Sequence, residues 1–370
     1  MKIIYLTFTS LLFALNITFV SANNVSFLND VLPDSSRGNF EISVSQGKFN
    51  ESLDVLNYAD KLSGSKPKSA KIEEGSVSYK FNNDVKFTFL QNTSSGKIER
   101  NSIPKSLESE ATTDFASLSF PIFKGEQSTY NLEIFYKETE QDPVEIDCYQ
   151  SGSTVIGGAC SEADIRLLDA DLYKSTGQRN YLPVLSTTGS SEGYGVSLRI
   201  KKNINNSLNL YHTFTLSEDE VNLSFVSPIL ETTDSFLRGI SINGVKAGTL
   251  LDGLKNDLPQ KTPWKERSFK YSLNLTYGIT ERLALSGRAS LIKVSRSNYI
   301  KNPTKEDYTD NQLLDLGFFY EPSSNLLFYG RLSLSTKYLL GIEPIAYNRK
   351  SNHLFDHPFG QLYIGSLIRF

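Results

Sequence analysis

The sequence predicts a transmembrane, antiparallel, up-and-down β-barrel. Three observations support this fold class: an export signal at the N-terminus, apolar residues that alternate with polar ones along the rest of the chain, and short turns that alternate with long polar connections. No run of about eighteen apolar residues follows the signal, so a spanning helix is not predicted. A barrel strand instead presents one row of side chains to lipid and the other to the lumen.

Residues 1–22 have the pattern of a signal peptide. Lys2 supplies the positive charge, residues 3–20 are mostly apolar, and Ser21 and Ala22 provide the small residues of a cleavage site. A membrane-anchoring helix is the less favoured alternative, because no basic stop-transfer flank follows. We therefore expect export from a bacterial cytoplasm by the general secretory route. The remainder is divided into a short periplasmic N-terminal segment, residues 23–38, and a single barrel domain, residues 39–370.

The composition agrees with a barrel. Only 39% of the residues are hydrophobic and the mean hydropathy is negative, which is usual for a soluble protein. In a barrel, however, half of each strand faces a polar lumen, and the average conceals the lipid-facing row. The 19 tyrosines and 23 phenylalanines suit two interfacial girdles. A soluble β-sandwich would also be rich in aromatics, but about 350 residues after the signal is long for one sandwich.

The C-terminal strand shows the alternation most clearly. One face of residues 359–370 carries Leu362, Ile364, Ile368 and Phe370. We expect this strand to pair with residues 40–44 and to close the barrel. We also expect the barrel-assembly machinery to recognise Ile368 and the terminal Phe370.

Fourteen segments show the two-residue period, and fourteen is the favoured strand number. The segments are 40–44, 77–81, 85–89, 116–122, 130–136, 194–200, 208–216, 221–226, 236–243, 269–277, 283–291, 314–320, 326–338 and 359–370. Twelve is the alternative, because the region 221–243 is weak and contains Pro228, and because residues 217–220 would form a very short outer loop. The number is even if both termini are periplasmic.

Long polar connections alternate with the short turns, as in barrels with short periplasmic turns and long extracellular loops. The largest, residues 137–189, contains Cys148 and Cys160, the two cysteines of the chain. In an oxidising compartment we expect them to form a disulfide. No metal site is predicted, because two thiols without a nearby histidine do not complete a zinc site.

The row opposite the apolar row is predicted to line the lumen, and it is basic although the chain carries a formal charge of −3. The inward bases are Lys80, Lys86, Arg199, Lys270, Arg288, Arg331, Lys337 and Arg369, and the inward acids are Glu41, Glu133 and Asp315. Such a lumen concentrates anions. The alternative is that these charges pair with one another and only fill the barrel.

Catalysis is the weakest of the functional hypotheses. The three histidines, His212, His353 and His357, have no catalytic motif around them, and His212 falls on the lipid-facing row. That position indicates a bulge, a shift of the predicted register or a neutral imidazole at the interface. No phosphate-binding loop, nucleophile elbow or nucleic-acid patch is present, so neither a cofactor nor a nucleic-acid partner is predicted.

In its layout the chain resembles Gram-negative outer-membrane β-barrel proteins, and residues 275–291 (LTYGITERLALSGRASL) are similar to hairpins of transporter-like barrels grouped with phenol-degradation operons. Fourteen strands would also suit channels of the long-chain fatty-acid type. The chain departs from those channels because only residues 23–38 precede the first strand, where a plug is expected. The resemblance implies an outer-membrane location, with lipid and lipopolysaccharide around the barrel.

The leading functional hypothesis is a passive channel for small solutes, with the basic lumen as an anion-selective element and with loops that narrow the mouth. A closed barrel that acts as a surface binding or adhesion protein is the second hypothesis. An outer-membrane hydrolase is the third.

Overall fold

The computed structural model describes residues 39–49, 65–100, 103–146, 149–151, 154–156, 185–226, 241–242, 245–246, 249, 263–301, 306–337, 339–347, 352–356 and 359–370. The predicted signal peptide, the segment 23–38 and both cysteines, Cys148 and Cys160, lie outside these residues. The disulfide therefore stays a prediction.

Twelve strands form a closed antiparallel barrel in which each strand pairs with its neighbours along the chain. They are β1 Phe40–Phe49, β2 Ser65–Lys80, β3 Lys86–Arg100, β4 Ile103–Lys124, β5 Ser128–Ile146, β6 Leu185–Asn205, β7 Leu208–Val226, β8 Trp264–Gly278, β9 Leu283–Ser297, β10 Asp310–Ser323, β11 Leu326–Ser335 and β12 Phe359–Arg369. The predicted all-β, up-and-down barrel is confirmed.

Smaller elements lie in the long connections. Two ribbons, Tyr149–Ser151 with Thr154–Ile156 and Ser241–Ile242 with Val245–Lys246, are separate from the barrel sheet. Two 3-10 helices span Pro344–Ala346 and Asn352–Asp356. Within the described ranges, no helix is long and apolar enough to cross a bilayer.

The favoured number of fourteen strands is wrong, and the alternative of twelve is correct. The predicted strands 208–216 and 221–226 are one continuous strand, β7, and the predicted loop between them is paired on both sides: Asp219 lies opposite Gly193 of β6 and Glu266 of β8. The polar stretch 217–220 keeps the two-residue period, because Asp219 is buried while Glu220 is exposed. The predicted strand 236–243 lies outside the described residues except for residues 241–242, which belong to a small ribbon.

Strand 12 closes the barrel against strand 1, as predicted. The pairing runs from Glu41 opposite Arg369 to Phe49 opposite Gln361. The backbone N–H of Phe370 donates to the carbonyl of Phe40 at 2.9 Å, and the two rings lie 5.9 Å apart. The start of β1 and the end of β12 therefore both lie at the edge of the barrel that carries the short turns.

The predicted apolar row forms the outer surface. Exposed members include Ile134, Leu216, Leu275, Leu316, Leu332 and Ile364. His212 lies on this row too, and the register is continuous through it in both strand pairs, so neither a bulge nor a shifted register explains it. Its Nδ1 lies 3.0 Å from the Tyr271 hydroxyl, which gives the imidazole a polar partner on the lipid-facing side.

The wall of the barrel is uneven in height. Strands β4 to β7 have 19 to 22 residues, whereas β11, β12 and β1 have 10 or 11. Because about 9–11 residues cross a bilayer, the short strands only span it and the long ones continue beyond it on the side of the long loops. A connection that follows one of the short strands therefore starts closer to the membrane than the ends of the long strands on the opposite side.

Side chains fill much of the interior. Hydroxyl pairs bridge neighbouring strands, including Ser78 with Thr88 at 3.0 Å and Ser272 with Ser290 at 2.8 Å. Elsewhere the rings of Phe115 and Phe135 stack with centroids 5.4 Å apart, and the Phe135 ring lies over Gly195, where a Cβ would collide with it. The inward row is therefore a packed polar core with aromatic inserts.

Candidate functional site

Seven of the eight bases predicted to line the lumen occupy inward positions on strands. Arg199, Arg288, Arg331 and Arg369 are buried, and Lys86 and Lys270 are partly exposed. Lys80 lies at the short-turn end of β2. Lys337 follows β11 and lies in the next connection, where its ammonium is 3.0 Å from Asp356 and 4.2 Å from the centre of the Tyr308 ring.

Two of the arginines share one carboxylate in the middle of the barrel. Arg288 Nε lies 2.7 Å from Asp315 Oδ2, while Arg331 Nη2 lies 2.7 Å and its Nε 3.0 Å from Oδ1. None of the three side chains is more than 3% exposed. We call this group the mid-barrel triad. It joins β9, β10 and β11 through charge-assisted hydrogen bonds.

Other predicted bases are paired as well. Arg369 contacts Glu41 at 3.4 Å and Glu321 at 2.9 Å, and Lys86 contacts the second oxygen of Glu41 at 2.6 Å. Arg199 Nη2 lies 3.3 Å from Glu133 Oε2. The three acids predicted to be inward, Glu41, Glu133 and Asp315, are thus each engaged by one or two of the predicted bases.

Four inward acids were not predicted: Glu74, Asp219, Glu266 and Glu321. All four lie outside the segments that were predicted to be strands, because polar residues there lack an obvious apolar partner row. The signal that marks them is the two-residue period, which continues past the apolar belt at both edges of the barrel. The inward bases Lys137 and Arg296 were missed for the same reason.

Residues 339–347, which we call the inward segment, fold into the mouth of the barrel. Ile345 packs against Ala111 of β4, Val221 and Leu223 of β7 and Trp264 of β8, and is 2% exposed. Nearer the start of the segment, Ile342 packs against a cluster on β9 and β10 that consists of Ile292, Val294 and Leu313. The segment thus contacts strands on opposite sides and crosses the lumen.

Gly341 allows the segment to turn inward. Its φ of +68° is in the left-handed region, which a residue with a side chain rarely adopts. A Cβ at this position would also lie 2.5 Å from Ile292 Cγ2. Both the backbone conformation and the close approach to β9 therefore favour glycine.

Charged side chains surround the inward segment, and we call them the mouth cluster: Lys137 of β5, Asp219 of β7, Glu266 of β8, Arg296 of β9 and Glu343 of the segment. Lys137 Nζ lies 2.8 Å from Asp219 Oδ1, and Arg296 Nε lies 2.8 Å from Glu266 Oε2. Burial raises the pKa of Glu343 to about 7, against the opposing effect of Lys137. The cluster holds three carboxylates for two cations.

Arg296 also ties the segment to the loop that precedes β10. Its guanidinium contacts Asp307 at 3.2 Å and the Tyr308 carbonyl at 2.8 Å, and it stacks 3.7 Å from the centre of the Tyr347 ring. The Tyr347 hydroxyl donates to Asp307 at 2.8 Å. The end of the inward segment is therefore fixed to β9 and to the loop before β10 by a guanidinium between a carboxylate and an aromatic ring.

A partly accessible interior lies beside the mouth cluster. Thr215, Ser217, Ser268 and Lys270 point inward and are partly exposed, whereas Asp219 above them and Ser272 below them are only 2% exposed. Hydroxyl groups and the Lys270 side chain thus line the space on the β7–β8 wall. Among the described residues, no group of histidine, cysteine and carboxylate side chains is arranged to hold a metal ion.

A closed barrel with an apolar outer belt and a polar interior defines a transmembrane β-barrel protein. The translocator domain of autotransporter NalP from Neisseria meningitidis has a similar structure, with a TM-score of 0.51 at 10% identity and 94% of each chain covered. The fold is that of an outer-membrane β-barrel protein.

Two further solved structures match more loosely. The NanC porin gives a TM-score of 0.44 at 9% identity, over 89% of this chain and 100% of the porin. The toluene transporter TodX from Pseudomonas putida gives 0.41 at 11% identity, over 95% of each chain. No protein-family model and no curated protein sequence matches the chain.

Proposed function

We propose that this protein is a channel of the bacterial outer membrane for the passive passage of small solutes, and that it favours anionic solutes. The observation that carries the proposal is an excess of positive charge on the inner wall. The inward bases of the strands are Lys80, Lys86, Lys137, Arg199, Lys201, Lys270, Arg288, Arg296, Arg331 and Arg369, and the inward acids are Glu41, Glu74, Glu133, Asp219, Glu266, Asp315 and Glu321. Each ion pair takes one base and one acid together, so ten bases against seven acids on the described strands leave an excess of three positive charges.

Lys270 is the base that we expect to act most directly on a passing solute. It is inward and partly exposed, and it lies beside the hydroxyl groups of Thr215, Ser217 and Ser268, which can donate hydrogen bonds to an anion. In a narrow, low-dielectric passage one fixed charge shifts the local concentrations of anions and cations in opposite directions.

Lys270→Gln is the direct test, with Lys293→Gln as the matched control. Lys293 is exposed on the outer face of the adjacent strand, opposite Phe269 in the register. We expect the anion-to-cation permeability ratio of the wild-type channel to exceed one in planar bilayers, and Lys270→Gln to lower it by roughly twofold. Lys293→Gln should leave it unchanged. A wild-type ratio at or below one would reject anion preference.

The second candidate is a closed barrel that acts as a surface binding or adhesion protein. The inward segment across the mouth and the buried mid-barrel triad favour it. The test is a variant in which a Gly-Ser linker of equal length replaces the inward segment. If neither the wild type nor this variant passes current in planar bilayers, the barrel is closed and the channel proposal is rejected.

The membrane setting of the channel belongs to the same proposal. We infer that both termini and the short turns are periplasmic, and that lipid and lipopolysaccharide surround the apolar belt. Ile368 and Phe370 point outward and are 43% and 63% exposed, which supports their recognition by the barrel-assembly machinery. Phe370→Ser should lower the amount of folded barrel in outer-membrane fractions, measured by heat-modifiable migration on gels, without changing the conductance of the molecules that insert.

A further inference from the structure

We propose that the inward segment, residues 339–347, is a gate, and that Glu343 is the latch that sets whether it is closed. The gate rests on the proposed channel function. It goes beyond that function because it names one segment that closes the mouth and one carboxylate that controls the closing.

The segment can move without unpairing the barrel. It has no strand pairing of its own, and the twelve barrel strands pair without it. Its base is fixed, because the Asn311 amide donates to the carbonyls of Lys337 and Leu340 at 2.9 Å each and accepts from the Lys337 N–H at 2.9 Å. Its end is held as well, because Tyr347 lies between Arg296 and Asp307. Between these two ends the segment reaches the opposite wall through side-chain contacts, above all those of Ile345. Release of this middle part from the opposite wall, with both ends held, would uncover the mouth.

The charges that face Glu343 make its ionisation state decisive. Lys137 and the Thr139 hydroxyl approach it from β5, Asp219 from β7 and Glu266 from β8, while Arg296 of β9 engages Glu266. With Glu343 protonated, two strand carboxylates face two strand cations. With Glu343 ionised, a third carboxylate, which is only partly exposed, has no cation of its own, and leaving the mouth for water relieves this repulsion.

The direction of the pH effect follows from this arrangement. In the closed gate the pKa of Glu343 is raised to about 7, whereas in water it returns to its ordinary value near 4.5, so the closed gate binds the proton more tightly. The open-to-closed ratio is therefore constant below pH 4.5, rises between pH 4.5 and 7, and is constant again above pH 7. The total rise is expected to be roughly three hundredfold.

A reversible crosslink tests the movement. A Cβ built on Gly189 of β6 lies 3.6 Å from the Cβ of Ile345, within the range of a disulfide. We would combine Gly189→Cys and Ile345→Cys with Cys148→Ser and Cys160→Ser, and record current in planar bilayers at pH 8. Oxidation should abolish the current and dithiothreitol should restore it, whereas Gly189→Cys alone should respond to neither. Equal currents in the oxidised and reduced double variant would overturn the gate.

Glu343→Gln tests the latch. The amide is neutral at every pH, so this variant should stay mostly closed from pH 5 to pH 8, while the open probability of the wild type rises across that range. Glu306→Gln is the control, because Glu306 is exposed in the neighbouring loop and should keep the wild-type profile. A wild-type pH profile in Glu343→Gln would overturn the latch. Absence of current in all variants, including the linker variant, would instead reject the channel and with it the gate.

Discussion

The mid-barrel triad and the mouth cluster are both groups of charges inside the barrel, but they differ in burial and in the elements that build them. The triad is buried, whereas Lys137 and Glu343 of the mouth cluster are partly exposed. The triad joins Arg288, Asp315 and Arg331 of three consecutive strands, with two cations for one anion. The mouth cluster takes its charges from four strands and, through Glu343, from a connection, with three carboxylates for two cations. Charges that come only from strands cannot separate without breaking the barrel, whereas Glu343 can leave with its segment.

The two groups use charge inside the barrel in different ways. In the triad each carboxylate oxygen has a guanidinium partner, so the group ties three neighbouring strands together. In the mouth cluster the excess carboxylate makes the closed arrangement dependent on protonation. The same amide substitution in the two groups should therefore act in opposite directions.

Asp315→Asn is expected to give the largest effect. It leaves two buried guanidinium groups without an anion, and breaking a buried ion pair costs about 3–5 kcal/mol. The free energy of unfolding, followed in lipid vesicles with urea and the fluorescence of Trp264, the single tryptophan, should fall by that amount. A loss below about 1 kcal/mol would mean that the triad does not hold the wall together.

Glu343→Gln should raise the free energy of unfolding, whereas Asp315→Asn lowers it, and it should do so only at high pH. The protonated carboxyl fits the closed barrel, so its stabilising contribution is complete below pH 4.5 and is lost as the pH rises towards 7. The amide avoids this loss, and the variant should be more stable than the wild type at pH 8 by up to about 3 kcal/mol. At pH 5 the two should agree closely. Equal stabilities at pH 8 would place Glu343 outside the group that controls the mouth.

Asp84→Asn should give the smallest loss in the free energy of unfolding, and it serves as the reference for an exposed ion pair. Asp84 lies in the turn after β2, where hydrogen bonds from Lys124 and Lys80 lower its pKa to about 2. Its contribution is present above pH 4 and is lost as the pH falls towards 2. Because the side chain is 39% exposed, solvent screening limits the loss in the variant to below about 1 kcal/mol at pH 7. Urea unfolding at pH 7 and at pH 2.5 should show the difference shrinking; a loss as large as that of Asp315→Asn would remove the contrast between buried and exposed pairs.

The rows of the strands could be predicted because they depend on local geometry. Successive side chains point to opposite faces whatever the partner strand is, so the alternation places Leu316 outside and Asp315 inside without knowledge of the fold. The strand number could not be predicted with the same security. Residues 217–220 are polar in both rows because they lie beyond the apolar belt, and polarity there resembles that of a loop.

The candidate site was predicted only in part, for a related reason. Arg288, Arg331 and Asp315 were placed in the lumen by their position in the alternation, but the alternation does not say which base meets which acid. Glu343 has no strand pattern around it, and its place in the mouth depends on a connection that folds back over the lumen.

The sequence by itself thus determined the export signal pattern, the two rows of each strand and the up-and-down connections, because all of these are set by neighbours along the chain. The tertiary structure decided the twelve-stranded closure, the charge pairs and the position of the inward segment in the mouth. These depend on distances between residues far apart in sequence, such as Arg369 and Glu41, which are 328 positions apart and 3.4 Å from each other in the barrel.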